Sequence, residues 1–268
     1  MRVINLCAGE GDGKKTACLM TASNMLIGKP ENGDKSSCVC PLLRSFILVT
    51  NDAMPDAIRN ILYGPLVWEI VGTRNNNNDV LRARLEALAR WAFFDVTIPL
   101  LRKLGVKSPL DRLDESSSFP EMSAAASEVL APKPIASHIT DSWVWTPGDT
   151  CLSRNWEDCE LMAYQTVTEA RLVAVTANCS VRNAPGFIIE RAMEGAAYNA
   201  GHAIINAACV DGSYWEKCPE IIRRIAAIGD RRPVERVISL DELADCLDEG
   251  VATLTKEESN ASNQSLCR

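Results

Sequence analysis

The stretch 187–210 reads FIIERAMEGAAYNAGHAIINAACV, and it constrains the fold more than any other segment. Gly195, Ala196, Ala197, Ala200, Gly201, Ala207 and Ala208 carry almost no side-chain bulk. A helix built from them lets neighbouring axes come closer than the roughly 8–10 Å that larger contact residues impose. It gains from that only if neighbours are present, so it is expected at the centre of a helical assembly or at a subunit interface.

The rest of the chain supplies helical neighbours. Val80, Leu81, Leu85, Leu88, Ala89, Ala92 and Phe93 recur at three-to-four spacing, which predicts a long helix after an Asp79 N-cap, with Arg82, Arg84, Glu86 and Arg90 on the opposite side. Pro99 should end or kink it, and LLRKLG adds one turn closed by Gly105. Upstream, Thr16 is the expected N-cap of a helix closed by Gly28 and Pro30, Pro41 opens a second, and Asp56 to Tyr63 forms a third ended by Gly64. Downstream, Trp156 to about Ala177 reads as helix, although LVAVTA within it is also compatible with strand. A helix from about Glu216 or Pro219 to Ile228 ends at Gly229, and Ser239 with Glu242 forms a capping box. WVWTPGDT at 143–150 suggests a short strand and turn.

These patterns predict a mainly α protein, a compact multi-helix globule with a few short strands. Serines and prolines make 107–134 the expected connector, with a helical island at Ala124–Leu130. It separates an N-terminal helical region (1–106) from an Ala-rich C-terminal one (135–254), with a flexible tail at 255–268; the two regions can equally form one domain. With 47% hydrophobic and 24% charged residues over 268, the chain can bury a substantial core.

The formal charge of −7 argues against nucleic-acid binding, because Arg82–Arg84–Arg90 and the arginines at 223–224 and 231–232 are interleaved with acidic residues. The apolar run after Met1 stops at once in glycine and acid, so no secretory signal is expected. No run is long enough for a membrane span. A cytoplasmic location follows, with the 11 cysteines reduced; their odd number also precludes complete internal pairing.

Candidate chemistry is thin. The glycine-rich start GEGDG lacks the Gly-Lys-Ser/Thr of a phosphate-binding loop and carries two carboxylates that would repel phosphate. Cys38 and Cys40, with Cys18, are candidate metal ligands, and zinc is the metal such thiolates suit. Their one-residue spacing is short for a zinc pair, so buried reduced thiols are the leading expectation and no cofactor is expected. His202 shares a helical side with Asn199 and Asn206, a polar cluster in an apolar helix that suits buried hydrogen bonding or ligand contact. His138 stands near Asp141 without a distinctive pattern, and the pairs Glu190/Glu194 and Glu157/Glu160 have the spacing of one helical face.

The segment from Cys18 to Arg74 resembles a family of uncharacterised proteins of actinobacteria and their phages. The elements that carry the likeness are the opening helix Cys18–Asn24, the turn Gly28–Pro30, Cys38-x-Cys40-Pro41, Asn51-Asp52 and Val71-Gly72-Thr73-Arg74. Members of that family often have an acidic residue where Thr21 stands and a histidine near Ser36, and this chain has neither. The resemblance covers about a fifth of the chain and implies an origin and a fold, with no activity attached.

Three functions are weighed. The first is a non-enzymatic helical protein that binds a host protein or a small phosphorylated ligand, with Asn51, Asp52, Thr73, Arg74, Asn199, His202 and Asn206 as contacts. An arginine beside polar loop groups is a suitable anchor for phosphate. The second is a hydrolase or transferase using Asp52, Glu194 and His202. The third is a structural homo-oligomer.

Overall fold

A computed structural model of the chain describes residues 6–9, 17–28, 36–131, 156–180, 186–234, 239 and 242–243. The expectations placed on the glycine-rich loop at 10–15, His138, Asp141, the strand at 143–150, the Glu157 side chain and the tail at 255–268 lie outside the described residues. The described elements are helices: α1 (Leu19–Leu26), α2 (Pro41–Ala53), α3 (Asp56–Tyr63), α4 (Asn78–Trp91), α5 (Ile98–Lys103), α6 (Phe119–Leu130), α7 (Trp156–Ser180), α8 (Gly186–Val210) and α9 (Lys217–Ala227). Short 3-10 turns join them, and a single parallel bridge pairs Leu6 with Ala17. LVAVTA is helical, inside α7. Among the described residues, no helix is long and apolar enough to cross a membrane.

The small-residue helix α8 is the centre of the packing and touches α7, α2 and α4. Ala196, Ala197, Ala200, Ala203 and Ala207 are buried along it, with Ile189, Met193 and Ile204. The closest approach is at Gly201, where a Cβ would stand 2.8 Å from Val49 Cγ1 on α2. Gly195 differs, because nothing lies within 4 Å of the equivalent position. Also on α2, Phe46 meets Trp91 of α4 edge to face, ring centroids 5.6 Å apart. One apolar cluster runs from Leu6 to Leu243 and includes residues of every described helix, with α3 contributing Tyr63 at its end.

Local signals set most boundaries. Gly28, Gly105 and Gly229 follow α1, α5 and α9 with positive φ, the backbone shape that glycine adopts most readily. Pro41 occupies the first turn of α2. The Ser239 box is formed: Glu242 N–H donates to Ser239 Oγ at 3.0 Å, and Ser239 N–H donates to the Glu242 carboxylate. Three details differ from expectation. The N-cap of α1 is Cys18, whose sulfur accepts the Thr21 N–H, and the N-cap of α4 is Asn77, whose side chain accepts the Asp79 N–H at 2.9 Å. Within the expected connector, the helix begins at Phe119 because Ser118 and Glu121 form a full capping box; Pro120 lies in the first turn, where it lacks nothing.

Between α4 and α5 the chain does not break at Pro99. Residues Ala92–Thr97 form a π-helical turn, with the Ile98 N–H donating to the Phe93 carbonyl five residues back. Proline has no N–H to give, and its ring crowds the preceding turn. Widening that turn by one residue relieves both problems and lets the helix continue.

Gly201→Val would drive two γ-carbons into Val49 and Thr50 and is expected to cost about 1–3 kcal/mol in urea denaturation. Gly195→Ala meets open space in mid-helix and should gain about 0.5–1 kcal/mol in the same measurement.

Candidate functional site

The motif residues singled out by sequence turn out to hold one another. Thr73 is fully buried; its Oγ1 accepts the Cys40 N–H at 3.0 Å and donates to the Ile70 carbonyl at 2.7 Å. The Arg74 N–H donates to the Cys38 carbonyl at 2.9 Å, so the Cys-x-Cys and Gly-Thr-Arg segments are cross-linked through the backbone. The Thr73 carbonyl accepts Arg84 Nη1 at 2.5 Å. Gly72, at φ 77°, accepts the Arg232 N–H at 2.8 Å, and a Cβ there would collide with the Arg232 carbonyl at 2.5 Å.

Arg84 corrects the sequence expectation most directly. Placed on the polar side of α4 by periodicity, it is fully buried, and its Nε and Nη2 donate to the Ile228 carbonyl at 3.0 and 2.7 Å. Ile228 is the C-cap of α9, so the guanidinium supplies two donors to a carbonyl at that helix end. Arg59 does the same for α2: buried, it donates from Nε to Asn51 O at 2.8 Å and from Nη2 to Met54 O, and it pairs with Asp56.

The expected phosphate anchor, Arg74, and Arg44 on α2 are both engaged with α8. Arg74 Nη2 lies 2.8 Å from Glu190 Oε1, and Arg44 Nη2 lies 2.5 Å from Glu194 Oε1. The buried Asn51 donates to the Cys7 carbonyl at 2.8 Å, and Asp52 Oδ1 accepts the Gly9 N–H at 2.6 Å. Together they grip the segment 6–9. No hydrogen bond joins any two of Asp52, Glu194 and His202 among the described residues.

His202, Asn199 and Asn206 are half-buried along one side of α8. The His202 ring lies 4.4 Å from that of Tyr198, and burial pushes its imidazole below the ordinary value, which favours the neutral form. Cys18 and Cys40 are buried, and Cys38 is half-buried with its sulfur 3.2 Å from Ser36 Oγ. Among the described residues no three His, Cys, Asp or Glu side chains converge on a metal position.

A concave site lies elsewhere, at the π-helical turn. Phe94, Asp95 and Pro99 face Asp211, Ser213, Tyr214 and Lys217 across a cavity of about 240 Å³. Asp211 is saturated: Oδ1 accepts the Ser213 N–H at 3.1 Å, and Oδ2 accepts Ser213 Oγ at 2.8 Å and the Lys103 ammonium. The Lys103 contact, with help from Ser213, holds this carboxyl below its usual range.

Asp95 is its opposite. Burial is the chief cause that raises its carboxyl, and Glu220 adds to it; Lys217 and Arg224 pull the other way from a distance, and no hydrogen bond contributes. Lys217 forms no ion pair among the described residues. Tyr214 has a buried ring, and burial raises its phenol to about 12. Sequence reasoning missed this site because 94–99 and 211–217 are remote in the chain and neither carries a motif. The only local sign was a proline inside a helical pattern.

One further carboxylate was not foreseen. Glu169 on α7 is pushed up to about 7 by burial alone, from an ordinary 4.5. No family model, curated protein or solved structure matches the chain.

Thr73→Val keeps the shape and removes the hydroxyl, so denaturation should show a loss of about 1–3 kcal/mol, with Thr73→Ser keeping most of the stability. At Glu169 the folded chain holds a proton that the unfolded chain has released. The stability it contributes is therefore full below 4.5 and lost as pH rises through about 7. Glu169→Gln should raise the midpoint of thermal unfolding at about pH 8 by the equivalent of ~1–2 kcal/mol, after discounting for partial exposure, and change little at about pH 4.

Proposed function

We propose that the chain is a non-enzymatic helical binding protein, acting in the cytoplasm, that takes a small polar ligand in the cavity at the π-helical turn. One observation carries the reading: Asp95 and Lys217, opposite in charge and unbonded to one another, line the same cavity. Structural ion pairs close on themselves, as Lys103 with Asp211 and Arg74 with Glu190 do here. A half-buried carboxylate left open beside a tyrosine and an ammonium is the arrangement expected of a ligand site. π-helical turns are frequent at such sites.

The phosphate anchor expected at Arg74 is less favoured, because Glu190 already neutralises it. The proposed source, an actinobacterium or its phage, rests on the motif pattern between Cys18 and Arg74. In the structure those motifs bind one another, which suits a role in holding the fold.

Self-association is a second reading, favoured by apolar side chains left in solvent on the α7–α8 hairpin: Leu172, Val175, Ile188 and Tyr198, the last 54% exposed. Light scattering on the full chain tests it. A dimer that dissociates with Leu172→Glu and Tyr198→Glu supports it, and a monomer at all concentrations removes it.

For the binding reading, thermal-shift screening of small polar compounds is expected to find ligands that raise the midpoint of the natural chain. Asp95→Asn should reduce that shift at least fivefold while leaving the unliganded midpoint within a degree or two. Ligands that protect Asp95→Asn and Lys217→Met as well as the natural chain would overturn it.

A further inference from the structure

We infer that the cavity at the π-helical turn recognises a small zwitterion of the α-amino-acid type, its ammonium on Asp95 and its carboxylate on Lys217. This rests on the binding reading above and narrows it to a chemical class.

Size comes first. At about 240 Å³ the cavity, open to solvent on one side, is smaller than the roughly 300–1,000 Å³ typical of pockets for drug-sized molecules, a size that suits a small molecule. The charges of the lining then decide the ligand's polarity. Asp211 and Lys103 cancel each other, and the remaining capacity of Asp211 is used by Ser213. What remains on the cavity wall is one carboxylate and one ammonium, on different elements: Asp95 on the π-helical turn and Lys217 at the first position of α9.

A simple anion would satisfy Lys217 and be repelled by Asp95, and a simple cation would do the reverse. Either would leave one partly desolvated charge unpaired, which is costly. A molecule carrying both charges pairs both groups at once. Its third substituent meets the Phe94 and Pro99 rings and the Tyr214 side chain, a lining suited to an apolar or aromatic side chain.

The protonation state of Asp95 is consistent with this. With burial as the chief cause, its carboxyl is raised above the ordinary value, and a ligand ammonium beside it would favour the ionised form. Binding should therefore weaken as pH falls into the carboxylate range.

Isothermal titration of the full chain with two matched sets and glycine tests the assignment: L-leucine, isopentylamine and 4-methylpentanoate; L-phenylalanine, phenethylamine and 3-phenylpropionate; and glycine alone. One of the amino acids is expected to bind at least about tenfold tighter than its matched amine or acid, equivalent to about 1.4 kcal/mol. Asp95→Asn should abolish its advantage over the acid, and Lys217→Met its advantage over the amine. An amine or an acid that binds as tightly as its amino acid, with Asp95→Asn or Lys217→Met still weakening it, would sink the zwitterion and leave the binding reading standing. Absence of heat from all the amino acids overturns the inference as well. Ligands of any class that bind Asp95→Asn and Lys217→Met unchanged would remove both.

Discussion

The hydrogen bonds that converge on Thr73 and its neighbours tie α2, α4, α8 and α9 to one another. The Thr73 hydroxyl orders the entry to α2, and its carbonyl receives Arg84 from α4, which in turn caps α9 through Ile228. The neighbouring Gly72 and Arg74 extend the same knot to Arg232 and, across an ion pair, to α8. A buried guanidinium is expensive to desolvate, and what offsets the cost is that its donors meet carbonyls which would otherwise be orphaned. Arg59 repeats the solution at the end of α2. Helix ends are thus closed here by long-range side chains as well as by local caps, and that makes the ends depend on the tertiary structure.

The periodic part of the sequence was legible. Apolar spacing located the helices, and α3 was found to its residue, although Gly64 continues the path into a 3-10 turn. The small residues of 187–210 foretold a central helix, although of the two glycines in that stretch Gly201 marks a close approach and Gly195 does not. What periodicity could not show was Arg84. A charged residue among charged neighbours reads as solvent-facing, and the distant Ile228 and Thr73 carbonyls make the interior acceptable to it. Ser118 was missed for a related reason: prolines and serines suggested a connector, whereas Pro120 stands at the one place in a helix that tolerates it.

The motif residues were legible as unusual and illegible as to purpose. Asn51, Asp52, Thr73 and Arg74 were expected to frame a ligand, and their hydrogen bonds go to Cys7, Gly9, Cys40 and Glu190. Polar residues in distinctive turns carry the same sequence signature whether they hold a substrate or hold the chain. Glu169 and Asp95 gave the converse case, because nothing in an acidic residue's neighbours along the chain tells how much water the fold will remove from it.

The π-helical turn has a further consequence, one of indexing. A single additional residue in a helix rotates everything after it by about 100° relative to the α-helical phase. Leu100 and Leu101 of α5 face the core with that rotation in place, and Lys103 is placed to reach Asp211. Shortening 92–97 by one residue would leave the sequence of α5 intact and turn its apolar side away from the core. The length of this turn is therefore information in its own right, independent of which side chains occupy it.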